Sequence, residues 1–229
     1  MNKKTENFLL NLVKSNYEYI AEKFNETRKK PMKEMVYKIT ETLNIKKGDR
    51  VLDLGCGNGC FFEVLPEGVD YLGIDNSKNL ISYGRKKYGE IFLEKNILEV
   101  DSTDLENFKY IFSWAVFHHI PGQNLRLKFL ENIYNNINNG SYFIFSVWKL
   151  RKKRFFLFSF FGIYLKYALK GFFLDFGDLI FFWKGSSGKS LRYYHAFSEK
   201  SLKKLVKKTK FKLIDFLEDE FNYYLVLKK

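Results

Sequence analysis

The chain has 229 residues but only two cysteines, three prolines and three histidines. Cys56 and Cys60 are too few for a disulfide-stapled secreted scaffold and supply at most half of a four-ligand structural zinc site. A reducing, cytoplasmic setting with no bound metal is therefore expected. The few prolines form no Pro/Ser-rich linker, so residues 1–229 read as one decorated domain. Long apolar runs are missing as well. The longest uncharged stretch, Phe155 to Leu165, falls short of the roughly 20 apolar residues a spanning helix needs, which excludes a transmembrane segment. The first residues, Met1 to Glu6, lead into an amphipathic pattern and read as neither signal peptide nor anchor.

Positive charge and aromatic rings are abundant. Lys and Arg number 39 against 26 Asp and Glu, a net charge of +13, and 19% of residues are aromatic. Such a balance suits a polyanionic partner, RNA first, with a merely solvated lysine surface as the alternative.

The most informative stretch runs from Val51 to Gly59, where an apolar strand reaches Asp53 and then Gly55, Cys56, Gly57, Asn58 and Gly59. Glycines at alternate positions permit positive φ and let a ligand lie against the backbone. The G-x-G-x-G spacing differs from the dinucleotide G-x-G-x-x-G, and Asp53 precedes the first glycine by two residues. Both point to S-adenosylmethionine rather than NAD. Asp75, twenty positions after Gly55 and followed by Asn76, can accept both ribose hydroxyls. Asn96 and Ile97 can serve an adenine edge, and Trp114 and Ala115 end a strand where an aromatic suits a sulfonium. His118 and His119 follow; as neighbours they point in different directions, which argues against a shared metal.

Phe8, Leu9, Leu12, Val13, Tyr17, Ile20 and Phe24 recur at helical spacing, and a second helix is expected from Pro31 to Leu43, so residues 1–46 form N-terminal helices. Strands are expected at 51–54, 69–74, 91–94, 110–114 and 142–147, alternating with helices. That order predicts an α/β, Rossmann-like, mostly parallel sheet with ligands beyond the carboxyl ends of its strands. A helix at 198–209 and strands at 211–217 and 221–227 complete seven strands with an antiparallel C-terminal hairpin. Between them, 149–191 reads as an insertion: Lys149, Arg151, Lys152, Lys153 and Arg154, then an aromatic-rich, helical 155–183. It is a lid, a partner-binding element or a peripheral membrane contact. Lys203, Lys204, Lys207 and Lys208 form a second basic cluster, and both clusters suit tRNA phosphates.

Phe24 to Pro31, Ala115 to His119, Arg192 to Phe197 and the ending Tyr223 to Lys228 resemble the tRNA wobble-uridine carboxymethyl methyltransferases, a branch of the class I S-adenosylmethionine-dependent methyltransferases. Met32, Asn96 and Asn139 depart from it, standing where Trp, Asp and Pro are usual. The resemblance implies methyl esterification of a carboxymethyl group on tRNA, often with a small zinc-binding activator protein as partner. It also implies Asp53 near the donor's amino group. A carboxylate acceptor is already ionised and needs no general base, so catalysis becomes placement, and Arg28, Arg192, Tyr194 and His195 are the expected orienting donors. Two other readings remain open: a methyltransferase of a small apolar, quinone-like or lipid-like acceptor, and a non-catalytic RNA-binding protein on the same fold.

Overall fold

A computed structural model describes residues 1–28, 34–150, 163–185 and 188–229. Strands β1 (Arg50–Leu54), β2 (Asp70–Asp75), β3 (Phe92–Glu94), β4 (Tyr110–Ser113), β5 (Tyr142–Trp148), β8 (Lys212–Glu218) and β9 (Asn222–Lys228) make one seven-stranded sheet, in the order β3-β2-β1-β4-β5-β9-β8. The pairs among β1 to β5 are parallel, and β9 runs antiparallel to both β5 and β8. This is the expected α/β sheet with its terminal hairpin. Helices α1 (Lys3–Thr27), α2 (Glu34–Thr42), α3 (Lys78–Tyr88), α4 (Ser102–Leu105), α5 (Gln123–Asn136) and α7 (Glu199–Val206) surround it, with α6 covering the described residues 163–168.

Strand alternation divides the core between the two faces. In β1, Leu52 and Leu54 join Ile111, Phe129 and Ile133 of α5 and Leu202 and Leu205 of α7. Val51 faces the other way, with Phe112, Phe61 and with Val36 and Ile39 of α2. Neither layer is polar, as expected for strands covered on both faces.

Two elements differ from expectation. The segment after Gly59 is not an α-helix but a short 3-10 helix, Cys60–Val64, entered through Gly59 at φ +76°. A Cβ on Gly59 would lie 2.5 Å from the Phe92 ring, so this glycine is demanded by backbone sign and packing together. Gly59→Ala should therefore destabilise the chain by about 1–3 kcal/mol, read as a lowered urea midpoint. The insertion, expected to be helical, is helical only over 163–168 among its described residues. Strands β6 (Asp178–Gly185) and β7 (Gly188–His195) pair as a separate antiparallel hairpin. Arg151 to Arg154 and 155–162 lie outside the described residues, as does Pro31, the expected start of the second helix. Among the described residues no helix is long and apolar enough to cross a membrane.

The hairpin is bound to the rest through a buried ionic cluster. Asp178 accepts from Tyr193 Oη at 2.8 Å and His195 Nδ1 at 2.7 Å, and the Arg126 guanidinium lies 3.7 Å away. Leu9 of α1 packs against Ile180 and Tyr193 on the same hairpin.

Candidate functional site

A cavity of about 1340 Å³ opens at the carboxyl ends of β1, β2 and β4, roofed by α1 and walled by β6. One end is built by the glycine loop. Gly55 and Cys56 donate their amides to the Ile74 carbonyl at 2.7 and 3.1 Å, tying the loop to β2. Gly55 sits at φ +81°, and a Cβ there would strike Val116 Cγ2 at 2.4 Å. Gly57 donates its amide to Asp75 Oδ2 at 2.9 Å, and Ser77 donates its own to Asp75 Oδ1 at 2.8 Å. The carboxylate that ends β2 thus fixes the loop and retains a second lone pair on each oxygen for a diol.

Asp53 is the most exceptional group in the cavity. Its Oδ2 accepts from Tyr71 Oη at 3.0 Å, while Oδ1 is buried with no hydrogen-bond partner. Burial is the main reason its pKa rises to about 7, with the nearby Asp75 adding to it against the Tyr71 bond. A buried carboxylate with an orphaned oxygen calls for a cation, and the ammonium of a bound amino acid moiety is the right size and charge. The orphaned oxygen, the diol-ready Asp75 and the close-approach glycines therefore fit S-adenosylmethionine.

The other cofactor residues divide. Gly55, Cys56, Gly57, Asp75, Asn76, Asn96, Ile97, Trp114 and Ala115 all line the cavity with Asp53. Gly59 and Asn58 do not: Gly59 faces Phe92, and the Asn58 side-chain amide donates to Asn25 Oδ1 at 2.9 Å, linking the loop to α1. The Asn96 side chain is occupied locally, accepting from the Leu98 amide at 3.1 Å and donating to Glu99 at 3.0 Å, so its cap geometry competes with an adenine contact. Ala115 holds φ +55°, and its amide donates to Ser146 Oγ at 2.9 Å. Both cysteines are free, and burial raises both thiols, Cys60 to about 11, so neither is a ready nucleophile.

The expected orienting residues divide more sharply. Arg28, the C-cap of α1, lines the cavity with its guanidinium 5.6 Å from the Phe24 ring centroid. His195, expected to orient the acceptor, is instead buried against Asp178 and does not line the cavity. Burial and then the Arg126 charge hold it neutral, near 4. Tyr194 and Arg192 stand behind the wall rather than on it, with Arg192 Nη1 3.4 Å from Tyr194 Oη. The Tyr194 ring stacks on Trp148 and Phe181, which are lining residues.

Tyr17, a residue with no distinguishing signal beyond its place in an apolar stripe, takes the position that sequence assigned to His195. His119 Nδ1 lies 3.1 Å from the Tyr193 carbonyl and so carries the hydrogen, which makes Nε2 the acceptor for Tyr17 Oη at 2.9 Å. Burial holds His119 neutral, near 4, and pushes the Tyr17 phenol far up. His118, buried behind it, is also held below the usual histidine range by burial. Three neutral buried histidines bind fewer protons folded than unfolded, so their stabilisation is complete above about pH 6.5 and is lost as pH falls toward 4. In Asp53→Asn, which removes an opposing group, the urea midpoint should fall steadily across that window.

The basic surfaces need correction too. Lys149 is buried: its ammonium donates to the Asp219 carbonyl at 2.6 Å and pairs with Glu218 at 2.9 Å, so it braces the β8–β9 turn and is not presented to phosphate. Lys203 pairs with Glu199 at 2.7 Å, one turn back on α7. Lys200, Lys204, Lys207, Lys208 and Lys210 are exposed.

The chain is similar to the tRNA (carboxymethyluridine(34)-5-O)-methyltransferase of Schizosaccharomyces pombe, 29% identical over 137 residues, or 60% of this chain and 57% of that protein. It is 30% identical over 140 residues to the alkbh8 tRNA (carboxymethyluridine(34)-5-O)-methyltransferase of Xenopus tropicalis, covering 60% of this chain and 21% of that one. The chain thus spans only part of the length of these curated relatives. Among solved structures, the DhpI-SAM-HEP complex shares the fold, with a TM-score of 0.70 at 14% identity over 100% of both chains. A family profile described as a methyltransferase domain matches residues 24–215, and the chain belongs to that methyltransferase family.

Proposed function

We propose that the chain is an S-adenosylmethionine-dependent carboxylate O-methyltransferase whose acceptor is the carboxymethyl group of a tRNA wobble uridine. The observation that carries this reading is the state of His119. It is the one histidine lining the cavity among the described residues, it is neutral, and both of its ring nitrogens are engaged. An acceptor hydroxyl or amine would need a free base there, whereas a carboxylate arrives ionised.

Bound donor supplies an electrophilic methyl group. Asp53 would hold its ammonium and Asp75 its ribose, with Asn76, Ile97 and Trp114 beside it. Arg28 would grip the acceptor carboxylate by charge-assisted hydrogen bonds and leave one oxygen in line with the methyl. Trp148 and Phe181 offer flat faces on which a pyrimidine can stack, as single-stranded RNA bases commonly do. The exposed lysines from Lys200 to Lys210 would meet phosphates. The names of the two relatives support the same acceptor.

Tandem mass spectrometry of nucleosides from hypomodified tRNA, incubated with enzyme, donor and a small zinc-binding activator protein, should show the methyl ester. Its absence under those conditions sinks the proposal. Arg28→Ala should lower kcat/KM for tRNA by about ten- to a hundredfold, the loss of one hydrogen bond to a charged group, while leaving donor affinity in place. Replacing Lys204, Lys207 and Lys208 by Gln should flatten the salt dependence of tRNA binding by roughly 0.7–0.9 in logarithmic slope for each phosphate no longer neutralised. A second reading, a small apolar acid as acceptor, is favoured by Leu150, Leu179 and Phe182 on the outer wall. Methyl transfer to such an acid, together with none to tRNA, would select it.

A further inference from the structure

Ten large apolar side chains are exposed among the described residues, and four of them, Leu165, Leu169, Phe173 and Phe176, fall within twelve consecutive positions of the insertion. Leu169 is 81% exposed and Phe176 73%. Leu165 and Leu169 are one helical turn apart and so share a side. Beside them Tyr164, Leu165, Ala168, Phe172, Phe173 and Leu174 line an apolar hollow of about 250 Å³. The hollow is separate from the donor cavity, since the two share no lining residue. Scattered apolar side chains on a surface need no explanation, but a cluster of this kind marks contact with something apolar.

The charges around the cluster decide what that is. Lys166 and Lys170 project from the same segment and are exposed, and Lys4 of α1 reaches over it. The Lys4 ammonium lies 4.9 Å from the Phe172 ring centroid and 3.4 Å from the Lys170 carbonyl. Both nearby carboxylates are already paired: Asp175 with the Met1 amino group at 3.3 Å and Glu6 with Lys3 at 3.1 Å. What the face offers outward is therefore leucine and phenylalanine edged by ammonium groups. Leucine has no flat face to stack on a base, which disfavours RNA here. Apolar tips below a ring of long, cationic stems match the boundary of a bilayer with anionic headgroups, where the tips enter the acyl region and the ammonium groups stay at phosphate level.

We infer that the face formed by Leu165, Leu169, Phe173 and Phe176, edged by Lys4, Lys166 and Lys170, docks the protein on an anionic lipid bilayer. The contact is interfacial and reversible. It uses no residue of the donor cavity, so it stands or falls independently of the acceptor proposed above.

Co-sedimentation with phosphatidylcholine vesicles, with and without phosphatidylserine, tests it. The full chain should partition onto the serine-containing vesicles on the order of a hundredfold more strongly, the combined effect of three lysines, and high salt should release it. Leu169→Glu and Phe173→Glu should each remove most of that binding, and the pair Lys166→Gln with Lys170→Gln should weaken it only on anionic vesicles. All variants should keep the wild-type melting temperature and donor affinity, because the altered side chains are exposed and remote from the donor. No partition by the wild type, or partition unchanged by Leu169→Glu and Phe173→Glu, overturns the inference. Sedimentation velocity showing a dimer that Leu169→Glu dissociates, without vesicle binding, would assign the face to a second copy of the chain and overturns it equally.

Discussion

Donor affinity should fall about tenfold for each pH unit below about 7, with release of nearly one proton per donor bound at pH 6, because Asp53 is largely protonated before binding and ionised after it. The cause is a carboxylate buried with one oxygen unpaired, whose charged form becomes favourable only when an ammonium arrives. Calorimetry in two buffers of different ionisation enthalpy measures the proton count directly. Asp53→Asn should abolish both the proton release and the pH dependence while weakening binding on the order of a hundredfold, the loss of one buried ionic hydrogen bond. The same substitution should stabilise the donor-free chain. A carboxyl raised from 3.8 to about 7 binds its proton more tightly when folded, so its contribution is present at low pH and lost as pH rises through 7. The mutant's advantage should accordingly grow from pH 4 and level off above 7. A flat affinity profile in the wild type would show that no ammonium meets Asp53.

The second large effect concerns Asp178. Asp178→Ala should cost about 3–5 kcal/mol, because it strands the Arg126 guanidinium, His195 and Tyr193 in a site without water to replace the carboxylate. The side chain of Arg126 is only 4% exposed and that of Asp178 is fully covered. Urea unfolding measures the loss. Donor binding should weaken as well, since β6 supplies part of the cavity wall and β7 supplies the carbonyl that fixes the His119 tautomer. Arg192→Gln, on the opposite side of β7 from His195, should leave this cluster intact. A loss below about 1 kcal/mol for Asp178→Ala would mean the ion pair is not coupled to folding.

The glycine loop, the five parallel strands and the terminal hairpin were legible because each rests on local chemistry: alternate glycines, apolar runs ending in Asp53 or Asp75, and an acidic turn at Glu218 to Glu220. The β6–β7 hairpin was not. Its run of Leu179, Ile180, Phe181 and Phe182 has no period that separates strand from helix, and length alone could not arbitrate. The misplacement of His195 follows from that error. In β7, Arg192 and Tyr194 point one way and Tyr193 and His195 the other, so only a known strand and a known partner reveal that His195 turns toward Asp178. Tyr17 escaped notice for a different reason, since its hydroxyl matters through His119, 102 positions away. Lys149 looked like the start of a basic surface because the Arg151 to Arg154 run follows it; only the return of β9 beside β5 brings Glu218 and Asp219 to its ammonium.

The roof of the donor cavity joins parts of the chain made at very different times. Tyr17 is bonded to His119, and His119 to Tyr193, spans of 102 and 74 residues. Closing such loops costs entropy that is recovered only when the distant partner is present. During synthesis the glycine loop and its first strands can form early, yet α1 has no latch until β7 has left the ribosome. A nascent chain should therefore gain the ability to retain donor late and in one step, after the sheet that cradles it is already in place.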